Sequence, residues 1–233
     1  MISGLQKMTL LDYPGKVACT VFLQGCNFRC PFCHNTDLLS SDGEEFMTND
    51  EFLDFLKKRQ GLIDAVCVSG GEPTLYPDLR SLIKNIKELG FAVKLDTNGS
   101  RPEILKKLVY DKLIDYVAMD IKNSPSRYAQ TCGVENCQLR NIEESIRFLT
   151  SDEVDYEFRT TVVKELHDET CIDEMGKWLY SITQKKPRAI YLQQFVDRDS
   201  VLYAGLTPPS HDVLQKYREI LSSYVENAYI RGE

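Results

Sequence analysis

Residues 91–122 read FAVKLDTNGSRPEILKKLVYDKLIDYVAMDIK and contain two strand patterns separated by a helix pattern. Apolar, β-branched and aromatic residues predict strands over residues 91–95 and 116–119. The helix between them, residues 102–110, has a proline near its start, where proline is well tolerated. A strand, a helix and a second strand in this order form a βαβ unit, which is typical of a parallel sheet.

The same alternation continues on both sides of this stretch. Further strands are predicted over residues 17–23, 65–68, 156–163 and 189–195, and further helices over residues 48–60, 77–89, 141–149, 169–182 and 210–224. Six strand-and-helix repeats predict an α/β fold, either a partial, open barrel or a doubly wound sheet, because a closed barrel needs eight. No internal repeat or Gly/Ser linker interrupts them, so we expect one domain over 1–233. Its core covers about 16–200 and its last helix about 210–224.

Composition excludes some functions. The chain of 233 residues has 28 Lys and Arg against 35 Asp and Glu, a net charge of −7, which disfavours a broad nucleic-acid-binding face. No apolar run approaches the roughly 18 residues that span a bilayer. Lys7, Asp12 and Pro14 interrupt the N-terminal stretch, which therefore does not resemble a signal peptide. We expect a cytoplasmic protein that binds neither nucleic acid nor membrane.

Polar or glycine-rich segments follow five of the predicted strands. They cover residues 24–26, 69–72, 96–99, 120–122 and 193–194. The carboxyl ends of parallel strands meet at one edge of a sheet, and ligands bind there in open and barrel-shaped α/β folds alike. The sequence therefore predicts a functional site at this edge.

Three of the eight cysteines lie close together in the chain, as Cys26-x3-Cys30-x2-Cys33. Three thiolates at this spacing can hold three corners of an iron–sulfur cluster. A structural zinc site closed by His34 is the alternative. Neighbouring residues such as Cys33 and His34 rarely bind one ion together, so we favour a four-iron cluster with one iron open to substrate.

The cysteine triplet, with Phe32 before its last cysteine, resembles the signature of the radical S-adenosylmethionine (SAM) enzymes. The resemblance implies a partial, open (β/α)6 TIM-like barrel of parallel strands. It also implies a [4Fe-4S] cluster on Cys26, Cys30 and Cys33, with SAM on the fourth iron. Reduction of SAM then yields methionine and a 5′-deoxyadenosyl radical, which abstracts hydrogen from substrate.

The other strand-end loops resemble the SAM-binding loops of this family. Gly70, Gly71 and Glu72 are implied to position the SAM amine, and Lys122 to meet its carboxylate. Arg159 is either a further SAM contact or half of a structural ion pair. The Asp–Lys segment could also be an exposed pair, and Asn-Gly an ordinary turn. The implied cofactor-binding residues are Phe32 (near the adenine), His34, Gly70, Gly71, Glu72, Asp96, Thr97, Asn98, Asp120, Lys122 and Arg159, and the implied catalytic residues are Cys26, Cys30, Cys33 and Lys122. Asp96, Thr97 and Asp120 lie where some family members hold a monovalent cation.

Residues 11–39 resemble the activating proteins of anaerobic ribonucleoside-triphosphate reductase, which generate a glycyl radical on that enzyme. The turn reads Asp12-Tyr13-Pro14-Gly15, whereas activases of pyruvate formate-lyase have glycine in place of Tyr13 and a histidine near the end of strand six. We expect Asp12 to face the glycine loop of the partner, and flavodoxin or ferredoxin to supply the electron. The alternatives are a radical SAM enzyme for another glycyl radical enzyme or a small molecule, and a non-enzymatic electron carrier or zinc module.

The remaining cysteines and histidines give weaker signals. Cys132 and Cys137 are expected to be surface or partly buried thiols, with a redox or auxiliary role as the alternative. His167 and His211 are expected to lie in solvent.

Overall fold

The computed structural model describes residues 1–40, 45–198 and 200–231. Within these residues strands and helices alternate along most of the chain. The strands are β1 (Ile2–Thr9), β2 (Ala18–Leu23), β3 (Ala65–Gly70), β4 (Ala92–Thr97), β5 (Tyr116–Asp120), β6 (Asp155–Val162), β7 (Ala189–Gln194) and β8 (Asn227–Arg231). The α-helices are α1 (Asn49–Lys57), α2 (Leu79–Glu88), α3 (Pro102–Tyr110), α4 (Tyr128–Cys132), α5 (Leu139–Leu149), α6 (Glu169–Thr183) and α7 (His211–Ser222).

The six predicted strands are all present, as β2 to β7, and the six predicted helices are α1 to α3 and α5 to α7. Helix α1 starts where the sequence predicts it. Thr48 Oγ1 accepts a hydrogen bond from Glu51 N at 3.2 Å, and Glu51 Oε2 accepts one from Thr48 N at 2.8 Å. This reciprocal pair is a capping box and satisfies two backbone donors at the helix start.

Two strands were not predicted. Strand β1 pairs antiparallel with β2, and its register is irregular between Ile2 and Gly4 and between Gln6 and Thr9. Strand β8 follows α7, which the sequence predicts to be the last element, and pairs parallel with β7. Hydrogen-bonded strands follow chain order from β1 to β8. The α/β class with an open, mainly parallel sheet is therefore confirmed, with more strands than expected.

The chain divides into two compact units. The first unit comprises Met1–Asn27, Asp37–Thr97 and Glu103–Ala118, and the second comprises Phe28–Thr36, Asn98–Pro102 and Met119–Glu233. The single domain expected from the sequence stays a prediction.

In the first unit β2, β3 and β4 pair in parallel without a register shift. Thr20 lies beside Cys67, and Cys67 lies beside Lys94. Side chains alternate between the two faces of a strand, so these three residues share one face of the sheet. Cys19 lies on the opposite face, and both Cys19 and Cys67 are fully buried.

In the second unit β6, β7 and β8 pair in parallel. Glu157 of β6 is fully buried, and its two carboxylate oxygens accept hydrogen bonds from the guanidinium of Arg231 in β8 at 2.9 and 3.0 Å. The same guanidinium lies 3.8 Å from the ring centroid of Tyr191 in β7. A bidentate pair with a stacked aromatic ring compensates for burying the carboxylate.

Among the described residues, the helices lack the combination of length and apolar composition that crossing a bilayer requires.

Candidate active site

Two glycines at the end of β3 hold the chain that leads into the cysteine triplet. Gly70 has a φ of +131°, and a Cβ there would lie 2.1 Å from the carbonyl oxygen of Leu23. A Cβ on Gly71 would lie 2.3 Å from the carbonyl oxygen of Gly25. Gly71 N donates to Leu23 O at 2.9 Å, and Glu72 N donates to Gly25 O at 2.7 Å. The resemblance implies that these glycines let the backbone approach SAM closely. The structure shows a second reason for glycine here, because both residues lie against the backbone that precedes Cys26.

Glu72 is 1% exposed and joins its loop to the end of β4. Its Oε1 accepts hydrogen bonds from Thr97 Oγ1 at 2.8 Å, Thr74 Oγ1 at 2.5 Å and Thr74 N at 3.1 Å. A buried carboxylate needs such donors, because it would otherwise lose its hydration uncompensated. Two predicted site residues, Glu72 and Thr97, are therefore in direct contact.

Asp96 also lies at the end of β4, and protein groups contact both of its carboxylate oxygens. Oδ1 accepts a hydrogen bond from Lys94 Nζ, and Oδ2 accepts one from Ser69 Oγ at 3.0 Å. Lys94 is fully buried and is not among the predicted site residues. The feature of the sequence that could have indicated its importance is a lysine within an otherwise apolar strand pattern.

Cys26 belongs to the first unit, and Cys30 and Cys33 belong to the second. All three cysteines are in the reduced form, outside any disulfide. The pKa of Cys30 falls to about 7, because a hydrogen bond with Cys132 and the nearby Lys122 outweigh burial. The thiolate is the form that binds iron, so this thiol suits a cluster ligand. The pKa of Cys33 is raised by burial, and a bound metal would displace its proton.

In the described part of the chain, no three side chains of the His, Cys, Asp and Glu types already form a metal-binding group. The three-cysteine ligand set therefore stays a prediction from the motif. The chemistry of the residues fits it, since three thiols lie within eight residues of one another in the sequence, from Cys26 to Cys33.

Cys132 is fully buried, in contrast to the surface or partly buried thiol expected from the sequence. Its carbonyl oxygen accepts a hydrogen bond from Arg29 N at 2.8 Å. The next residue, Gly133, has a φ of +63°, and a Cβ there would lie 2.0 Å from Arg29 O. This close backbone packing places Cys132 beside the residue that precedes Cys30. Cys132 and Arg29 are about a hundred residues apart, so the sequence pattern could not predict this contact.

The second unit contains a cluster of two cations around one carboxylate. Asp120 Oδ1 accepts a hydrogen bond from Arg159 Nε at 3.0 Å, and Oδ2 accepts one from Lys122 Nζ at 2.9 Å. Lys122 Nζ also lies 5.8 Å from the ring centroid of Phe32. Burial lowers the pKa of Lys122, but Asp120 and Cys30 raise it by more, so the pKa lies above its usual value. Four predicted site residues thus come together, with two fixed positive charges suited to an anionic ligand.

The side chain of His34 contacts the segment that follows β7. Its ring stacks on Phe195 with centroids 5.5 Å apart, and Nε2 lies 2.6 Å from the carbonyl oxygen of Val196.

Asn98 forms a tight turn, because its Oδ1 accepts a hydrogen bond from Ser100 N at 2.9 Å. The Asn-Gly turn weighed in the sequence analysis is therefore present, and a cofactor contact of Asn98 stays a prediction.

His167 is 3% exposed, so the expectation of a solvated histidine is wrong. Its Nε2 donates to the carbonyl oxygen of Lys122 at 2.9 Å, and its Nδ1 accepts from Val163 N at 3.1 Å. Burial lowers the pKa of His167. The imidazole thus fixes the backbone at Lys122 and supports the cation cluster.

Comparison with known proteins agrees with this site. The family model of the Radical SAM superfamily matches residues 20–175, about two thirds of the chain. The chain therefore belongs to the radical SAM superfamily, whose members use a [4Fe-4S] cluster and SAM. A protein of Methanocaldococcus jannaschii that is named as a glycyl-radical enzyme activating enzyme is 34% identical over 242 residues, covering 99% of this chain and 95% of that protein. Within the superfamily, the chain is therefore a member of the glycyl-radical-enzyme activating family.

Two further relatives are similar over part of the chain. The pyruvate formate-lyase-activating enzyme of Clostridium pasteurianum is 36% identical over 131 residues, which is 52% of each protein. A solved domain of a pyruvate-formate lyase-activating enzyme from Bacteroides vulgatus has a TM-score of 0.59 at 25% identity, covering 72% of this chain and 99% of that domain. The predicted resemblance to radical SAM enzymes and to glycyl-radical-enzyme activases is confirmed, together with the enzyme class.

Proposed function

We propose that this chain activates an anaerobic ribonucleoside-triphosphate reductase by generating a glycyl radical on it. The observation that carries this choice of partner is the buried Tyr13. Tyr13 is 4% exposed, packs against Ala18 and Ala65, and has its ring centroid 5.8 Å from that of Tyr116. Glycine at this position, the residue that the pyruvate formate-lyase branch is expected to have, would leave the space of a phenol ring unfilled. The turn is therefore built around tyrosine.

The other departure from the pyruvate formate-lyase branch lies at the end of β7. That branch is expected to have a histidine near this strand end, whereas here the chain reads Gln193-Gln194-Phe195. Phe195 is fully buried and stacks on His34, and Gln194 Nε2 donates to Pro209 O at 2.9 Å. Phe195 thus packs in the core and Gln194 attaches the loop at Pro209. Both residues have structural roles at this strand end, which supports a site that lacks the histidine.

Most of the predicted site residues have a role in this proposal. When bound, the cluster supplies the electron that cleaves SAM to methionine and the 5′-deoxyadenosyl radical. Cys26, Cys30 and Cys33 would hold the cluster. Lys122 and Arg159 attract the SAM carboxylate by charge and hydrogen bonding, and Asp120 fixes their positions.

The first-unit residues act mainly by fixing loops in position. Gly70 and Gly71 keep the chain before Cys26 in place, and Glu72 fixes the loop that would bind the SAM amine. Asp12 Oδ2 accepts a hydrogen bond from Thr20 Oγ1 at 2.5 Å, and we expect Asp12 to face the glycine loop of the partner. The electron comes from flavodoxin or ferredoxin, and the protein works in the cytoplasm.

The test is anaerobic. The chain is reconstituted with iron and sulfide, reduced, and mixed with SAM and either an anaerobic ribonucleotide reductase or pyruvate formate-lyase. We expect 5′-deoxyadenosine and a glycyl radical signal by electron paramagnetic resonance with the reductase. A reductase with alanine in place of the radical glycine is the matched control and should give no glycyl signal.

The similarity to pyruvate formate-lyase-activating enzymes over half of the chain favours that lyase as the second candidate. A radical on the lyase alone would therefore replace the reductase in the proposal. SAM cleavage without a radical on either protein would point to a small molecule or a different protein. Absence of cleavage by a verified reduced cluster would contradict the mechanism.

A further inference from the structure

A lysine is fully buried in the middle of the first unit's parallel strands. Lys94 lies in β4 and is 1% exposed. Burying an ammonium is costly unless a carboxylate and further polar atoms surround it. A lysine kept in this position therefore needs a reason beyond filling space, because methionine would fill a similar volume without the cost.

The partners of Lys94 point toward the carboxyl end of β4. Its Nζ donates to Asp96 Oδ1 and lies 3.7 Å from the sulfur of Cys67. Asp96 lies two residues further along the strand, so both side chains are on the same face. Ser69 Oγ donates to the other oxygen, Oδ2, at 3.0 Å. The ammonium thus neutralises Asp96, and together with the Ser69 hydroxyl it fixes the orientation of the carboxylate.

The resemblance implies a monovalent cation near Asp96, Thr97 and Asp120, but the side chains of all three already have protein partners. Thr97 Oγ1 donates to Glu72 at 2.8 Å. Asp120 accepts hydrogen bonds from a guanidinium and an ammonium. Asp96 accepts hydrogen bonds from Lys94 and Ser69. A carboxylate that is already paired with a protein cation gains little from an alkali ion, so these residues do not fit a cation site.

We propose that Lys94 is a built-in cation that holds Asp96 in place for SAM binding, so that this enzyme needs no bound monovalent cation. Lys94 is a positioning residue, since it acts on SAM through Asp96. The inference rests on SAM binding by the radical SAM family and on the predicted role of Asp96, and it is independent of which protein receives the radical.

The first test uses the wild-type holoenzyme, prepared anaerobically in choline chloride and free of alkali ions. SAM affinity is measured while Na⁺ or K⁺ replaces choline at constant ionic strength. We expect the dissociation constant to change by less than about two-fold, because the ammonium is part of the chain. A large gain in affinity on adding either ion would overturn the proposal, and this arm depends on no variant.

Two variants separate charge from packing. Lys94→Met keeps most of the volume and removes the charge, and we expect SAM affinity to fall about ten-fold. Lys94→Ala leaves a cavity, and we expect its SAM affinity to be low in choline and to recover with K⁺ or NH₄⁺. Lys84→Met, at an exposed lysine on α2, is the matched control and should bind SAM like the wild type. SAM binding by Lys94→Met at wild-type affinity would show that the ammonium only fills space.

Thermal unfolding of the protein without its cluster gives a readout that is independent of catalysis. The unfolding temperature of Lys94→Ala should rise when K⁺ replaces choline, because the vacated site can then take the ion. The wild type and Lys84→Met should not respond. An equal response of all three proteins would indicate a general salt effect and contradict the proposal. Failure of the activase proposal would leave these results unchanged, since no partner protein is present.

Discussion

Gly71 and Gly25 are in backbone contact, and a Cβ on Gly71 would lie 2.3 Å from the carbonyl oxygen of Gly25. Gly25 directly precedes Cys26, so the loop after β3 fixes the start of the cysteine triplet. The glycine-rich loop is therefore in direct backbone contact with the residue that precedes the first cysteine of the triplet.

This contact predicts that Gly71→Ala disturbs the cysteine loop. The three atoms nearest to this Cβ are backbone atoms of Gly25 and Leu38, and backbone atoms cannot rotate away as a side chain can. We expect the free energy of unfolding to fall by about 1–3 kcal/mol and the iron content after reconstitution to fall as well. Urea unfolding and iron analysis check this. Gly4→Ala is the control, since the nearest atom to its Cβ would be Phe22 Cδ2 at 3.4 Å. Equal behaviour of the two variants would count against the role of Gly71.

The three-ligand assignment predicts different outcomes for two neighbouring cysteines. Cys30→Ala should lose the cluster and SAM cleavage, because the remaining two thiolates cannot hold three irons. Cys132→Ala, although fully buried, should retain both. Iron and sulfide analysis with assay of 5′-deoxyadenosine checks this. Loss of iron in Cys132→Ala would mean that Cys132 is a ligand or supports Cys30 directly.

The cation cluster predicts that Arg159 contributes to SAM affinity. Arg159→Gln removes a charge that lies beside Asp120, and we expect the dissociation constant of SAM to rise about ten-fold. Equilibrium binding to the anaerobic holoenzyme measures it. Arg188→Gln is the matched control, because the Arg188 side chain is 46% exposed and pairs with Asp152 and Asp155. Unchanged SAM affinity in Arg159→Gln would leave the alternative of a purely structural ion pair.

His167 predicts a loss of stability in mild acid. Its pKa is lowered in the folded protein, so the unfolded chain binds a proton more readily than the folded one. The stabilisation is complete above the unfolded pKa of about 6.5 and is lost as the pH falls below it. Urea unfolding between about pH 7.5 and 5.5 should show a steeper decline for the wild type than for His167→Gln. His211→Gln, at an exposed histidine, should decline like the wild type.

The strands β2 to β7 could be predicted because each contains an apolar, β-branched or aromatic run, and five of the six end in a polar or glycine-rich segment. Strand β1 gave no such signal, since its middle residues Gln6 and Lys7 are exposed and its register is irregular. Strand β8 has five residues, and it pairs with β7 and contacts β6 through Arg231 and Glu157. Long-range pairing of this kind cannot be derived from local pattern.

The site shows the same division. The cysteine triplet and the strand-end loops are local motifs, and the sequence predicts them. The burial of Cys132, His167 and Lys94 arises from residues that are distant in the chain. A lone histidine or cysteine in a local pattern is therefore expected to be solvent-exposed or inert. Whether it is buried depends on distant residues that the local pattern does not include.

The bidentate pair between Glu157 and Arg231 also bears on the order of events during synthesis. The two residues are 74 positions apart, so β6 leaves the ribosome well before β8. Until Arg231 arrives, docking β6 into its native place would bury the Glu157 carboxylate without its guanidinium, which is unfavourable. The strands of the second unit therefore should not lock together as they emerge, and a chaperone would have a longer interval in which to bind them.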